Sequence, residues 1–246
     1  MVTDPELSAQ EAGLSHTLYH NDLSELPLGS LSFPDPSSAA TPAAIPGGFS
    51  IPVRHPAWSA GNCFRVIERG LGKYIETTGG SAETENRLLI TGDENWRDYR
   101  LRAVLTPLAF DECSPAGGIC GVVARYRDAQ NYVAIVLDRD GQAKLLQRSE
   151  GVFHTLAARA LDFCIGQSLT LTLTVLGNRV HATAGPYTGP VHLYARLPEL
   201  PGEQDAGGKV GFIADLHTRF GPLTVESSPA EAERIVELKK KAAVAQ

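Results

Sequence analysis

The segment PAGGICGVVARYRDAQNYVAIVLDRDGQAKLLQRS, residues 115–149, decides the fold of this chain. Three runs rich in valine, isoleucine and leucine are separated by short polar turns, and they cover residues 117–126, 131–137 and 142–148. Asp140 and Gly141 form a strong two-residue hairpin signal, because both residue types tolerate a positive φ angle. The segment therefore predicts an antiparallel meander at the centre of a sheet.

The same pattern continues on both sides of this segment. Short runs with apolar positions and flanking turn residues cover residues 63–68, 73–77, 87–91, 96–106, 151–158, 168–176, 179–184, 191–196, 209–215 and 219–226. Many short strands with turns at this spacing are typical of two packed antiparallel sheets. The sequence therefore predicts an all-β fold, a two-sheet antiparallel β-sandwich.

The N-terminal quarter of the chain departs from this pattern. Residues 1–17 show no periodicity, and we expect them to be disordered or frayed. Seven prolines fall between residues 18 and 60, and prolines at this spacing exclude a long helix. We expect an extended strap across the surface of the domain, with short strands at residues 18–22 and 49–53.

The C-terminal end predicts a helix. Ser228 is typical of an N-cap, Pro229 of the first helical position, and Glu231 of the third position in a capping box. The helix would either pack on the domain or link it to a further domain beyond the chain. The expected organisation is thus a β-sandwich domain at residues 18–227 followed by a helix at residues 228–246.

Composition excludes several classes of function. The 246 residues carry a net charge of -6, which disfavours nucleic acid as a partner, and no apolar run is long enough for a membrane span. Residues 1–10 contain no secretory signal, so a secreted or periplasmic location would require an upstream signal that has been removed. Four cysteines, with no Cys-x-x-Cys spacing, are expected either to be mostly buried thiols or to include one disulfide: Cys63, Cys113, Cys120 and Cys164.

Five stretches carry a resemblance to a known family, and they cover residues 89–93, 96–101, 116–132, 176–180 and 208–220. They resemble the concanavalin A-like (laminin-G-like) jelly-roll superfamily, near its 3-keto-disaccharide hydrolase-like domains and fructan-binding carbohydrate modules. The resemblance extends over roughly residues 63–226 and implies a jelly-roll sandwich. This fold hosts enzymes, lectins and adhesion modules alike, so the resemblance does not decide the activity. The segment at residues 185–207 is much longer than its usual counterpart in the family, and the proline-rich strap is not part of the family pattern either.

The strongest candidate site surrounds the turn after the first strand of the meander. An arginine on an otherwise apolar strand must find a partner or face a groove, because burying its charge alone is costly, and Arg125 is in this position. Guanidinium donors, carboxylate acceptors and an aromatic plate are the groups that sugar recognition needs. The candidate ligand-binding residues here are Arg125, Asp128, Asn131, Tyr132, Trp96, Asp98 and Arg148. The alternative is that Asp128 and Asn131 build the turn and that Trp96 belongs to the core.

Two weaker candidates lie elsewhere. His192 and Tyr194, with Arg196, occupy the polar side of one strand beside the long loop and form a second candidate ligand site. Asp138 and Asp140 resemble part of a calcium loop, so a structural Ca²⁺ is a candidate, although the hairpin alone also explains these residues.

Three functions are compatible with these observations. The first is a non-catalytic carbohydrate-binding or accessory module of a polysaccharide-degrading system, which binds a glycan on the concave face of one sheet. The second is a glycoside hydrolase or polysaccharide lyase. The Glu-x-Asp-x-x-Glu strand of retaining glycosidases on this fold is missing, and Glu83 and Glu85 are the nearest carboxylate pair. The third is a structural domain that binds a partner through the strap and the terminal helix.

Overall fold

The computed structural model describes residues 5–31, 46–52, 64–77, 87–109, 118–186, 189–198 and 207–244. In chain order, the elements are α1 (Pro5–Ala12), β1 (His16–Asn21), β2 (Gly29–Ser30), a 3₁₀ turn (Pro46–Gly48), β3 (Phe64–Arg69), β4 (Gly72–Thr77), β5 (Arg87–Thr91), β6 (Tyr99–Ala109), β7 (Ile119–Asp128), β8 (Asn131–Asp138), β9 (Gln142–Ser149), β10 (Val152–Ala160), β11 (Leu169–Leu176), β12 (Arg179–Gly185), β13 (Val191–Arg196), β14 (Lys209–Ala214), β15 (His217–Ser227) and α2 (Pro229–Val244).

The strands of the described residues form two antiparallel sheets. The larger sheet has the order β13-β12-β11-β6-β15-β4-β3-β2, with β1 paired to β15, and the smaller has the order β10-β9-β8-β7-β14-β5. The predicted meander is β7-β8-β9, inside the smaller sheet. The expectation of an all-β, two-sheet antiparallel sandwich with a C-terminal helix is confirmed.

The turn between β8 and β9 differs in detail from its prediction. Three residues, Arg139, Asp140 and Gly141, separate β8 from β9, and of these only Gly141 has a positive φ, 71°, so the turn is not the two-residue type in which both positions are left-handed. The amide of Gly141 donates to the carbonyl of Asp138 at 3.2 Å. The carboxylate Oδ1 of Asp138 accepts from the amides of Asp140 and Gln142, both at 3.0 Å. The side chain of Asp138 therefore stabilises the turn by accepting hydrogen bonds from two of its amides.

The core fills the space between the sheets. Phe212 on β14 stacks on Phe220 on β15 with ring centroids 4.4 Å apart, which joins the two inner faces. On β6, Leu101, Ala103 and Leu105 alternate inward, as their spacing predicts. Burying each large aliphatic side chain contributes on the order of 2 kcal/mol. The space between the two sheets is therefore filled by side chains.

The outer face of the smaller sheet is also apolar and buried. Its cluster contains Leu88, Ile90, Val123, Val136 and Ile213, all of them almost fully inaccessible to solvent. These strands are therefore apolar on both faces, as their near-continuous hydrophobic runs indicate.

The N-terminus is more ordered than expected. Residues 1–17 were predicted to be frayed, but Pro5–Ala12 form α1 and β1 begins at His16, whereas residues 1–4 lie outside the described residues. Leu7 and Leu14 are buried, and Arg179 pairs with Glu6 at 2.7 Å. These tertiary contacts explain a helix that its own short, weakly amphipathic sequence does not predict.

The described parts of the proline-rich strap contribute to the core instead of only crossing the surface. Leu23, Leu26, Leu31 and Phe49 are almost completely buried and belong to the main hydrophobic cluster. Residues 32–45 and 53–63, which hold much of this segment, lie outside the described residues.

Helix α2 packs against the loop that precedes β6. Ser228 Oγ accepts from the amide of Glu231 at 3.2 Å, as the capping box predicts. The carboxylate of Glu231 does not return to the cap. It accepts from the amide of Arg97 at 3.0 Å and from the guanidinium of Arg234. Lys239 further along the helix pairs with Asp93 at 2.7 Å, so α2 holds the 93–97 loop in place.

Two of the four cysteines can be placed. Cys120 is a buried free thiol, and burial raises its pKa to about 12, whereas Cys164 is free and exposed. Cys63 and Cys113 lie outside the described residues. Among the helices that the structure describes, none is long and apolar enough to cross a membrane.

Candidate functional site

A pocket opens at one end of the sandwich, where turns from the two sheets face each other. Its empty space is about 590 Å³, a volume that includes the part open to solvent. The smaller sheet contributes Arg125, Arg127, Asn131, Tyr132, Val133, Gln147, Arg148 and Ser149. The β11–β12 turn and the segments flanking residues 199–206 contribute Gly177, Asn178, Leu197, Pro198 and Gly207.

This pocket lies at the strand ends and not on the concave face of one sheet, where the sequence analysis places the glycan. The hydrophobic core fills the inner faces, and the apolar cluster buries the outer face of the smaller sheet. The hollow therefore forms where the strands end. Four of the candidate residues nevertheless line it: Arg125, Asn131, Tyr132 and Arg148.

Arg125 sits in a bulge of β7. Its φ angle is +48°, which is rare for a residue with a side chain. The pairing of β7 with β8 shifts register between Ala124 and Asp128, and the pairing with β14 shifts near the same place. The amide of Arg125 donates to the hydroxyl of Tyr99 on the other sheet at 2.7 Å. The bulge thus takes the Arg125 backbone out of the regular ladder and turns it toward the neighbouring sheet.

The guanidinium of Arg125 is buried and incompletely compensated. The side chain is 11% exposed, and Nη2 lies 3.8 Å from Asp98 Oδ1, beyond hydrogen-bond distance. Nη2 donates to the carbonyl of Arg97 at 3.3 Å, while the buried Nε has no hydrogen-bond partner among the described residues. Burial lowers the pKa of Arg125, and Tyr99 and Asp98 only partly offset this effect. The charge is therefore not locked into a tight internal ion pair.

Asp98 positions the opposite wall of the pocket. Its Oδ1 accepts from the amide of Gly177 at 2.7 Å, which anchors the β11–β12 turn beside Arg125. Asp98 itself is 42% exposed and adjoins the pocket instead of lining it.

Asp128 and Asn131 build the β7–β8 turn, which was the alternative to ligand contact that the sequence left open for them. Asp128 Oδ1 accepts from the amide of Gln130 at 2.7 Å and from Asn131 Nδ2 at 2.9 Å. Asn131 Oδ1 accepts from the amide of Glu150 at 3.2 Å. The two side chains thereby connect the β7–β8 and β9–β10 turns, and of the two only Asn131 lines the pocket.

Tyr132 and Arg148 belong to an aromatic stack on the outer side of the smaller sheet. Tyr132 stacks on Tyr126 with centroids 6.1 Å apart and meets Phe153 edge-on at 6.1 Å. The Cζ atom of Arg148 lies 5.9 Å from the Tyr132 ring centroid and 5.1 Å from that of Phe153. Tyr132 is almost fully buried under these neighbours, so its ring is not an open plate for a sugar.

Trp96 is a core residue. It is buried, and its ring lies 6.0 Å from that of Tyr19 and 6.2 Å from that of Tyr99. The prediction of ligand contact for this side chain is therefore not supported by its placement. Its backbone carbonyl accepts from the amide of Gly208 at 3.0 Å and so helps to shape the edge of the site.

His192 and Tyr194 do not join the pocket. His181 Nδ1 lies 2.6 Å from Glu11 Oε1 on α1, and His181 Nε2 lies 3.1 Å from His192 Nδ1. The ring of Tyr194 stacks on His181 at 4.3 Å with an interplanar angle of 2°. Glu11, His181 and His192 form a hydrogen-bonded chain that holds α1 on the larger sheet. The sequence did not indicate this chain, because Glu11 and His181 are 170 residues apart.

Replacing Glu11 by glutamine is expected to loosen α1. Burial alone would raise the pKa of Glu11, but the hydrogen bond and charge of His181 outweigh it and lower this pKa. A lowered folded pKa means that the contact stabilises the fold above the ordinary glutamate pKa and is lost as pH falls through the folded value. Hydrogen exchange of the α1 amides at pH 7 should accelerate about fivefold in Glu11→Gln, since a charged hydrogen bond contributes roughly 1 kcal/mol or more.

Glu6→Gln serves as the matched control for this prediction. Glu6 lies on the same helix and pairs with Arg179, but its side chain is 75% exposed, so its loss should change exchange less. Equal effects of the two substitutions would contradict the role assigned to Glu11.

Of the two calcium candidates, Asp138 is engaged in other contacts. Asp138 Oδ1 accepts two turn amides, and its Oδ2 pairs with the ammonium of Lys144. Asp140 is exposed and lies 4.0 Å from Arg139. Within the described ranges, no cluster of three or more His, Cys, Asp or Glu side chains could hold a metal ion.

The described lining of the pocket supplies hydrogen-bond donors and apolar surface. Glycosidic cleavage needs two carboxylates, or a comparable acid and base, at a defined separation. None of the described residues that line the pocket is an Asp, Glu or His. Glu83 and Glu85 lie outside the described residues. The lining is instead a set of arginine and amide donors around a small apolar wall.

Sequence reasoning missed several lining residues. Gln147 and Ser149 continue the inward alternation of Ala143 and Leu145, and this switch from apolar to polar at the strand end was a usable signal. Arg127 gave no such signal, because the bulge at Arg125 changes which side of the sheet each following residue faces.

Comparison with known proteins identifies solved structures with a similar fold. No family model matches the chain, and no curated protein matches it in sequence. Among solved structures, it is similar to the carbohydrate binding module CBM66 from Bacillus subtilis, with 14% identity, a TM-score of 0.54, and coverage of 73% of this chain and 96% of that one. It is also similar to the GH43 protein BlXynB (K247S mutant) from Bacillus licheniformis, with 17% identity, a TM-score of 0.57, and coverage of 85% of this chain and 39% of that one.

A third similar structure is a protein of unknown function with a galectin-like fold from Bacillus subtilis, with 11% identity and a TM-score of 0.53. The match covers 87% of this chain and 97% of that one. At these identities the likeness concerns the arrangement of strands. The two facing antiparallel sheets, their strand order and these neighbours show that the chain has the concanavalin A-like jelly-roll fold.

Proposed function

We propose that this chain is a non-catalytic carbohydrate-binding module, an accessory of a polysaccharide-degrading system, and that the pocket around Arg125 is its glycan site. The fold supports the proposal, since the module CBM66 shares it over 96% of its own length. The GH43 protein has the same fold over 39% of a longer chain, which supports a role beside a catalytic unit. The domain would begin at α1 instead of at residue 18, because Leu7 is buried and Glu11 contacts His181, and it would include α2.

The observation that carries the proposal is the environment of Arg125. A positive φ at a residue with a side chain and a buried guanidinium with an unsatisfied Nε both cost stability. A glycine at this position would avoid both costs. Strained backbone and unsatisfied buried groups are expected at functional sites, where a residue is kept for binding although it lowers the stability of the fold.

The rest of the pocket suits a ring that carries hydroxyl groups. Gln147 and Asn178 offer amide groups that both donate and accept, and Arg125 and Arg127 offer donors. Leu197 contributes an apolar surface for the less polar face of a sugar ring. A small number of polar groups beside an apolar wall is the usual composition of a ligand site.

The test is binding of a glycan panel to the full chain and to Arg125→Gly. Glycine tolerates the φ angle of +48°, so this variant removes the guanidinium without straining the bulge. We expect at least about tenfold weaker binding by titration calorimetry, since a hydrogen bond to a charged group contributes about 1.5–3 kcal/mol. The thermal midpoint should change little. Arg102→Ala, an exposed arginine on β6, is the control and should bind as the unmodified chain does.

Three outcomes would contradict the proposal. Unchanged affinity in Arg125→Gly would remove the pocket as the site. Failure of the unmodified chain to bind any glycan on the panel would remove the function. Release of new reducing ends from a bound glycan would remove the non-catalytic assignment.

A further inference from the structure

The 93–97 loop lies between α2 and the pocket, and its backbone contacts both. On the helix side, the carbonyl of Asn95 accepts from Nη2 of Arg234 at 2.5 Å. On the pocket side, the carbonyl of Trp96 accepts from the amide of Gly208 at 3.0 Å. A displacement of α2 would therefore move groups that shape the pocket.

The backbone of Arg97 makes the most direct connection. Its amide donates to Oε1 of Glu231 on α2 at 3.0 Å, and its carbonyl accepts from Nη2 of Arg125 at 3.3 Å. Only the two backbone torsions of Arg97 lie between these hydrogen bonds, because each peptide unit is planar. The Arg97 backbone thus joins a carboxylate on the helix to the guanidinium in the pocket.

The carboxylate of Glu231 is itself held in a fixed position. Its side chain is 7% exposed, its Oε2 accepts from Nε of Arg234 at 2.7 Å, and its Oε1 accepts from Nη2 at 2.6 Å. A two-point contact of this kind restrains the orientation of the carboxylate as well as its distance. In a capping box, a glutamate at this position returns to the N-cap amide, whereas Glu231 is turned toward Arg97. Its geometry therefore serves the contact with the loop.

The guanidinium at the other end of this connection has few further restraints. Among the described residues, it donates one hydrogen bond, to the carbonyl of Arg97, and Asp98 Oδ1 is 3.8 Å away. Burial lowers the pKa of Arg125, and the charge of Glu231 is among those that oppose this effect, which agrees with the short path between the two groups. The orientation of the Arg125 side chain thus depends on where the Arg97 carbonyl is held.

We infer that Glu231, which does not line the pocket, is a positioning residue: through Arg97 it fixes the orientation of the Arg125 guanidinium, and α2 thereby sets the affinity of the pocket. The effect on affinity rests on the proposed function, whereas the effect on the orientation of Arg125 does not. Coupling between two sites is reciprocal. A docked α2 strengthens ligand binding, and a bound ligand strengthens the docking of α2.

Four variants of the full chain separate this role from a general effect on the helix. Glu231→Ala removes the acceptor for the Arg97 amide, and Glu231→Gln keeps an oxygen in its place. Glu231→Asp keeps the charge but is one methylene shorter, so it should act in the same direction as alanine and replaces it if the alanine variant does not fold. Glu237→Ala is the matched control, because Glu237 lies on the same helix, is 59% exposed and pairs with Lys240.

The first experiment needs no ligand. The Nε–Hε signal of Arg125 is identified in a nitrogen–proton correlation spectrum by its loss in Arg125→Gly. In Glu231→Ala this signal should shift, and its proton should exchange with water at least about threefold faster, because the side chain loses a fixed partner. Glu231→Gln should restore a signal close to that of the unmodified chain, and Glu237→Ala should leave it unchanged.

The second experiment measures affinity and its reciprocal effect. The glycan of the panel that binds most tightly to the unmodified chain is titrated against each variant, at a temperature where all are folded. Glu231→Ala should weaken binding about threefold to tenfold, whereas Glu231→Gln and Glu237→Ala should bind nearly as the unmodified chain does. The same glycan at saturation should slow hydrogen exchange of the α2 amides by a similar factor and leave the α1 amides unchanged.

Each result decides one part of the inference. An Arg125 signal that is the same in Glu231→Ala and in the unmodified chain would overturn it, whether or not a glycan binds. Equal changes in the alanine and glutamine variants would also overturn it, since the charge and not the hydrogen bond to Arg97 would then be responsible. A changed signal with unchanged affinity would remove the control of affinity by α2. If no glycan binds, the proposed function and the effect on affinity are wrong, and the Arg125 signal still decides the positioning role.

Discussion

Replacing Gly208 by alanine is expected to lower the free energy of unfolding by roughly 3 kcal/mol and to abolish ligand binding. A Cβ at this position would lie 2.4 Å from the carbonyl carbon of Arg125 and 2.5 Å from its Cα. These are backbone atoms of the bulge, so they cannot rotate away as the end of a side chain could. Relief would require β14 to separate from β7 at the place where Arg125 enters the pocket.

The collision also affects a second contact. The amide of Gly208 donates to the carbonyl of Trp96, which fixes the loop that supplies Asp98 and the carbonyl of Arg97 to the site. Moving Gly208 therefore disturbs both walls around the Arg125 guanidinium. This is why we expect the loss of binding to persist even at temperatures where the variant is still folded.

Urea unfolding followed by circular dichroism, with titration of the best ligand, checks this prediction. Gly189→Ala is the matched control, because an added Cβ there meets nothing within 4 Å. The control should unfold at nearly the same urea concentration as the unmodified chain. If both variants have the same midpoint, the close approach of Gly208 to the bulge is not a constraint on the fold.

The strands could be predicted because their signals are local. Alternation along β6 and β11 and the polar turns between β7, β8 and β9 identify each element within the chain itself. The N-terminal helix could not be predicted, because its stability depends on Leu7 and on contacts with residues far along the chain. The sheet order could only be inferred through the resemblance, since alternation does not identify partners.

The site was predictable only in part, for the same reason. The position of Arg125 at the end of an apolar strand indicated that its charge must be compensated or face a groove, and its side chain does line the pocket. The bulge that aims it was not predictable, since β7 has no glycine at the position with positive φ. Trp96 illustrates the opposite difficulty: an aromatic residue beside a site has the same sequence signal in a core as on a sugar-binding surface.

Glu76→Gln is expected to lower the free energy of unfolding by about 3 kcal/mol, the usual effect of removing one partner of a buried ion pair. Glu76 lies on β4 between β3 and β15, and the register places it directly opposite both Arg65 and Arg219. Its carboxylate is 2% exposed, with Arg65 Nη2 at 2.9 Å and Arg219 Nη2 at 2.8 Å. A glutamine would leave the mostly buried Arg219 without a counter-charge.

The pH dependence of this difference has a definite sign. Burial acts to raise the pKa of Glu76, but the hydrogen bonds and charges of Arg219 and Arg65 outweigh it, so the folded pKa is lowered. A lowered folded pKa contributes stability above the unfolded value of about 4.3 and loses it as pH falls through the folded value. The gap between the unmodified chain and Glu76→Gln should therefore be widest near pH 7 and close on acidification.

Arg65→Gln provides the comparison that separates charge from packing. Arg65 is 47% exposed, and its loss leaves Glu76 still paired with Arg219, so we expect a cost of about 1 kcal/mol or less. The free energies of unfolding of all three proteins are measured by urea titration at several pH values. A gap for Glu76→Gln that stays constant from pH 7 to strongly acidic pH would mean that the carboxylate acts by shape alone. That result would contradict the assignment of Glu76 as a charge that links the three strands.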